Sequence, residues 1–194
     1  MLKIISSLIL NMRGWTIEGT PSEEAKRCVI LAAPHTSNWD YLYAIATGFV
    51  KGIKFKVAIK HSWTVFPFGI IIRPLGGIGI KRGKHRNESV SQIDMMIDLF
   101  SKYQTLSLII APEGTRKLKT KWKTGFYHVA HKAQVPLIPV FMDYTNRRII
   151  FGPSISSDGT LEEVMKNVGG YYQSVDGGPK NPKLFSLDES YITQ

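Results

Sequence analysis

The chain has 194 residues, 43% of them hydrophobic and 21% charged, with 25 Lys and Arg against 15 Asp and Glu for a formal net charge of +10. This length supports one domain with a substantial core, and the ordinary apolar content excludes disordered and fibrous classes. The excess of positive charge favours anionic partners: nucleic acid, phosphorylated metabolites or acidic lipid headgroups. Cys28 is the single cysteine, which excludes an internal disulfide or a thiolate metal cluster and fits a reducing compartment.

No apolar stretch reaches the roughly 18 to 20 residues a spanning helix needs, so no transmembrane span is expected. The first ten residues resemble a weak signal peptide, but their apolar part is short and no small-x-small cleavage site follows. Read as a helix, residues 1–13 place Ile5, Leu8, Ile9 and Met12 on one face, flanked by Lys3 and Arg13. That face suits either a membrane interface or packing on its own domain. A short alternating run at 14–19 and a continuous apolar one at 28–33 then read as strands, the second buried, with Cys28 inside it and Pro34-His35 at its end.

Residues 40–50 read as a helix whose first turn Asn38 or Asp40 can cap, and 55–60 as a strand. The stretch 63–80 is apolar but carries two prolines and four glycines, which forbids a long regular helix; it can pack inside or lie at a membrane. A helix begins at Asn87 or Ser89 and runs to Tyr103, with Val90, Ile93, Ile97 and Phe100 at helical spacing. Residues 106–110 form a buried strand, 124–134 a short helix, and 136–141 and 148–151 two further strands. Asp158 or Thr160 starts a last helix to about Tyr172, and a Gly/Pro-rich tail from Gly177 has Phe185 as an anchor. This alternation predicts a single α/β domain over 1–194, a mixed, mostly parallel sheet flanked by helices, without repeats or linkers.

Two stretches carry chemistry. His35-Thr-Ser-Asn-Trp-Asp40 joins a strand end to a helix start, so the turn can fold the carboxylate of Asp40 onto the His35 imidazole. A carboxylate on one ring nitrogen fixes the tautomer and leaves the other free as a general base. Spacing alone would arise by chance in about one chain of this kind in five, and a loop histidine beside a capping aspartate would look the same. Ala111-Pro-Glu-Gly-Thr-Arg116 directly follows a strand. Its glycine lets backbone amides approach a ligand, its arginine can bind phosphate bidentately, and Glu113 can accept a hydroxyl or pair with Arg116.

Gly76-Gly-Ile-Gly-Ile-Lys-Arg82 can offer amides and cations to an anion, or form a tight packing turn. The run Arg116-Lys-Leu-Lys-Thr-Lys-Trp-Lys123 suits phosphates and stacked bases, a membrane surface, or plain solvation. His128 and His131 are three apart on a helix without the third ligand a zinc site needs. Neither a Gly-x-Ser-x-Gly elbow nor a P-loop is present.

Taken in order, His35-x4-Asp40, Gly77-Ile-Gly-Ile-Lys-Arg82, Pro112-Glu-Gly-Thr-Arg116 and Val135-Pro-Leu-Ile-Pro-Val140 resemble the four blocks of the glycerolipid acyltransferases, including the lysophosphatidate acyltransferases of the short bacterial branch. The resemblance runs from about Cys28 to Val140. It implies transfer of a fatty acyl group from acyl-CoA or acyl-carrier protein to a lysolipid hydroxyl, with no acyl-enzyme and no cofactor beyond the donor itself. It implies His35 as base and Asp40 as its orienter. It implies substrate binding by Gly79 and Arg82, by Glu113, Gly114, Thr115 and Arg116, and by Lys123 and Pro139. No metal site and no nucleic acid are expected. A peripheral place on the anionic cytoplasmic face of the membrane is expected instead. Ala111, Lys81 and Lys117 depart from residues common in the family and leave the acceptor headgroup open. The rival from composition alone is a non-enzymatic basic module for anionic lipid or nucleic acid.

Overall fold

A strand that is apolar on both sides needs cover on both faces, and the computed structural model, which describes residues 1–19, 23–80 and 86–191, provides it. Among the described residues seven strands form one sheet: β1 (Thr16–Glu18), β2 (Arg27–Ala33), β3 (Phe55–Lys60), β4 (Gly77–Ile80), β5 (Leu106–Ile110), β6 (Leu137–Asp143) and β7 (Arg148–Phe151). Their order is β1-β7-β6-β2-β5-β3-β4. Strands β6, β2, β5, β3 and β4 are parallel to one another, β7 runs antiparallel to β6, and β1 follows β7. The described helices are α1 (Leu2–Met12), α2 (Trp39–Lys51), the single turn α3 (Gly69–Ile72), α4 (Arg86–Lys102), α5 (Gly125–Ala133) and α6 (Leu161–Ser174).

Alternation along the strands divides the core in two. Cys28, Ile30, Ile109, Ile138, Val140 and Met142 face Leu10 of α1 and Tyr43, Ile45 and Ala46 of α2. Val29, Leu31, Leu106, Leu108 and Leu137 face Phe100 of α4, Phe126, Val129 and Ala130 of α5, and Val164 and Val168 of α6. Tyr172 fixes α6 to the sheet by donating to the Leu31 carbonyl at 2.6 Å. Of the two expected starts for α6, Asp158 and Thr160, the helix uses Thr160, which accepts from the Glu163 N–H while Glu163 returns the bond, a capping box.

Topology decides where a site can form. The helix after β2 packs on one face and the helix after β5 on the other, so the chain leaves these adjacent strands in opposite directions and opens a crevice at their C-terminal ends. A second opening lies beside it. Strand β3 pairs with β5 only over Phe55–Val57, then with β4 over Val57–Lys60, so β3 and β5 part and the sheet gapes at its far end.

The stretch 63–80 forms no long helix, in line with its prolines and glycines, but it does hold the single turn α3 and the edge strand β4. Its glycines are packing residues, since a Cβ on Gly77 would stand 2.4 Å from Ile72 and one on Gly79 would stand 2.2 Å from the Thr64 hydroxyl. Asn38 precedes α2 but makes no side-chain cap bond. For α1 the structure decides between packing and exposure by doing both: Ser6 and Leu10 are buried as the helix lies on α2, while Ile5, Leu8 and Met12 stay exposed.

Candidate active site

The first loop of the site leaves β2 at Ala33 and enters α2 at Trp39. Across it the Asp40 carboxylate turns back toward the strand. Its Oδ2 lies 3.1 Å from His35 Nδ1 and accepts the Ser37 N–H at 2.8 Å, and its Oδ1 accepts the Tyr144 hydroxyl at 2.5 Å. Asp40 is buried, whereas the His35 side chain keeps 29% of its surface. With an ionised Asp40 the proton of the ring sits on Nδ1, and Nε2 is left as the acceptor. The dyad anticipated from the six-residue spacing is therefore formed.

The second loop leaves β5. Gly114 adopts φ +64, a left-handed conformation that a side chain would strain, and donates to the Ala111 carbonyl at 3.0 Å. That turn directs Glu113 inward. Glu113 is 3% exposed, and both its oxygens accept the His35 backbone N–H, at 3.0 and 3.1 Å. Burial pushes its carboxyl up to about 7, against the opposing pull of the His35 N–H and ring, while the charge of Asp40 adds to the rise. Glu113 thus clamps one motif to the other, and in this arrangement its carboxylate is spent on His35 rather than turned to the cavity.

Lys123 joins the same loop from outside. Its N–H donates to the Pro112 carbonyl at 2.9 Å, and its side chain lies over Gly114, where a Cβ would meet Lys123 Cδ at 2.9 Å. The crevice is a cavity of about 1000 Å³ lined by His35, Asp40, Gly114, Thr115, Arg116 and Lys123. Lys60 and His128 are further polar lining residues. The apolar part of the lining draws on both faces of the sheet at the gap between β3 and β5, with Ile59 and Ile109 from one face and Ile80 and Met96 from the other.

Not every expected residue reaches this cavity. Pro139 is buried in the middle of β6 beside Gly152, away from the cavity wall. Gly79 faces His61 and Thr64. Arg82 lies outside the described residues. Trp122 is buried and its indole donates to the Ser186 carbonyl at 3.2 Å, so the aromatic of the basic run offers no free face for a base. Among the described residues no three His, Cys, Asp or Glu gather as a metal site.

Sequence reasoning missed the groups that brace the motifs from the far end of the chain. Tyr144 reaches Asp40 across 104 residues. In the tail, Asn181 donates to the Thr36 carbonyl at 3.0 Å, inside the His35 loop, and Asp188 accepts the Trp122 N–H at 2.8 Å. The tail so ties both loops down, and Phe185 is half-buried against the α4–α6 side of the core, as its anchor role requires. No local pattern signals such contacts.

Comparison with known proteins adds three findings. The family model described as Acyltransferase matches residues 15–143. Among solved structures, the 1-acyl-sn-glycerophosphate (LPA) acyltransferase PlsC from Thermotoga maritima is similar in fold, with a TM-score of 0.56 at 18% identity over 91% of this chain and 80% of that one. No curated protein sequence matches.

Proposed function

The chain belongs to the acyltransferase family, and from that premise we propose that it moves a fatty acyl group from acyl-CoA or acyl-carrier protein to the hydroxyl of lysophosphatidate or a related lysolipid. The observation that carries this reading is the His35–Asp40 pair, 3.1 Å apart, on the wall of a cavity whose lining combines the cations Lys60, Arg116 and Lys123 with many apolar side chains. Such a cavity suits a substrate with a phosphate at one end and a hydrocarbon chain at the other. The solved acyltransferase of similar fold acts, by its name, on such an acceptor.

In this mechanism His35 Nε2 takes the proton of the acceptor hydroxyl as its oxygen attacks the thioester carbonyl. Asp40 holds the ring by Nδ1 and stabilises the imidazolium that forms. Collapse of the tetrahedral intermediate breaks the carbon–sulfur bond, and the thiolate leaves with the proton from His35. Arg116 and Lys123, with Arg82, bind the acceptor phosphate, which holds the hydroxyl near the base and replaces a bimolecular encounter. Gly114 and Thr115 shape the turn around it. No group outside the chain and its two substrates is required.

The reaction takes place at the cytoplasmic face of a membrane, with the protein bound peripherally. Among the described residues no helix is long and apolar enough to cross a bilayer. Two exposed apolar surfaces favour docking: Ile4, Leu8 and Met12 of α1, which packs on α2, and Phe66, Phe68, Ile70 and Ile71, next to the cavity-lining Trp63 and Ile72. A net charge of +10 adds attraction to acidic lipid.

The test is thiol release from oleoyl-CoA, and separately from oleoyl-acyl-carrier protein, with lysophosphatidate and a panel of other lysolipids. His35→Ala is expected to lose about 10²- to 10⁴-fold in turnover. Full turnover by His35→Ala, or failure of every acceptor with both donors, overturns the proposal.

A further inference from the structure

Tyr144 follows the last residue of β6, in the turn that leads to β7, where its N–H donates to the Gly178 carbonyl at 2.7 Å. Its ring meets Trp15 edge-on at 4.9 Å between centroids and Tyr43 at 6.1 Å. Held by these two aromatics, the phenol O–H donates to Asp40 Oδ1. The other carboxylate oxygen already serves the His35 ring and the Ser37 N–H. A buried charge is thus divided among three donors, only one of which belongs to the base.

We propose that Tyr144 is a positioning residue of acyl transfer: its phenol draws on the charge of Asp40 and so sets how tightly the carboxylate holds a proton on His35. The proposal rests on the reading of His35 as the base. The physical reason is that a carboxylate satisfied by a strong extra donor attracts an imidazolium less. Without the phenol, Oδ1 is left buried and unsatisfied and Asp40 pulls harder on the His35 proton. The ring of His35 then stays charged to a higher pH, and a charged ring cannot take the hydroxyl proton. Burial and the nearby Asp40 push the Tyr144 phenol far above the ordinary tyrosine range, so it remains a donor throughout.

A merely structural tyrosine would serve by its ring alone, and the test separates the two roles. The titratable groups around the dyad are Tyr43 beside Tyr144, Glu113 on the His35 backbone, and Lys60, Arg116, Lys123 and His128 on the cavity wall. A measurement that follows the His35 ring itself avoids mixing them. Ring-proton NMR of the full chain is recorded across pH, with His35→Ala to identify the signal among the five histidines.

Tyr144→Phe keeps the ring and deletes the donor; the midpoint of the His35 titration is expected to rise by about half a pH unit, roughly a three-fold gain in proton affinity. Tyr144→3-fluorotyrosine keeps the ring and strengthens the donor, and the midpoint is expected to fall. In the acyl-transfer assay the acid limb of kcat/KM moves in the same directions. Midpoints that stay fixed in both variants, or that move the same way, overturn the proposal. If His35→Ala abolishes transfer while the midpoints stay fixed, only the role of Tyr144 is lost. If His35→Ala keeps full transfer, the reading of His35 as the base fails first.

Discussion

Glu113 binds its proton more tightly in the folded chain than an ordinary glutamate does, and this has a measurable consequence for stability. Its carboxyl is displaced upward from 4.5 to about 7, chiefly by burial. Below both values the folded and unfolded chains each hold the proton, and above both each has released it. Between them the unfolded chain has lost the proton while the folded chain keeps it, so stability must fall as pH rises through this window and level off above it. A displacement of about 2.5 units, 7 less 4.5, corresponds to roughly 3 kcal/mol. For a chain of this length that is about 6–12 °C in Tm.

Glu113→Gln is nearly isosteric, retains an oxygen to accept the His35 N–H, and does not titrate. The assay is thermal unfolding of both proteins by circular dichroism from pH 4.5 to 8. Other titrating groups, such as Asp143, whose bonds from Asn146, Gly178 and Arg148 hold it below the usual carboxylate range despite its burial, are common to both and cancel in the difference. The wild-type Tm should fall by about 6–12 °C relative to the variant between pH 4.5 and 7.5. Parallel curves would refute the argument that burial of Glu113 outweighs its bond to His35.

Two further outcomes are expected. Gly79→Ala places a Cβ 2.2 Å from the Thr64 hydroxyl and 2.8 Å from His61 Nδ1, and overpacking of this kind costs about 1–3 kcal/mol, read as a lowered urea midpoint; an unchanged midpoint with weakened acceptor affinity would show that the glycine serves the substrate directly. Phe66 and Ile70 are 83% and 68% exposed, and each contributes about 1.5–3 kcal/mol when buried in an apolar medium. Phe66→Ser with Ile70→Ser should weaken sedimentation with anionic vesicles at least about ten-fold at unchanged Tm, and equal partitioning would place the membrane contact elsewhere.

The sequence by itself determined the parts of this protein that are built from local, repeated signals. The apolar runs that became β2, β5 and β6 were legible because a strand covered on both faces must be apolar throughout, and the last helix because capping residues, Asp158 and Thr160, stand at its start, of which Thr160 is the one used. The His35–Asp40 pair was legible for the same reason, since one loop holds both partners. Strand β4 was hidden because the close approach of Ile72 to Gly77 and of Thr64 to Gly79 leaves no room for the side chains that make the usual β pattern.

Tertiary structure decided what depends on distant segments meeting. It turned Glu113 onto the His35 backbone and buried Trp122 under Ser186 and Asp188. It brought Tyr144 to Asp40 and opened the gap between β3 and β5. These follow from strand order and from where neighbouring helices lie, and no window of adjacent residues encodes them: the chain specifies the chemical groups locally, while their pairing and burial arise only when the sheet brings its strand ends together.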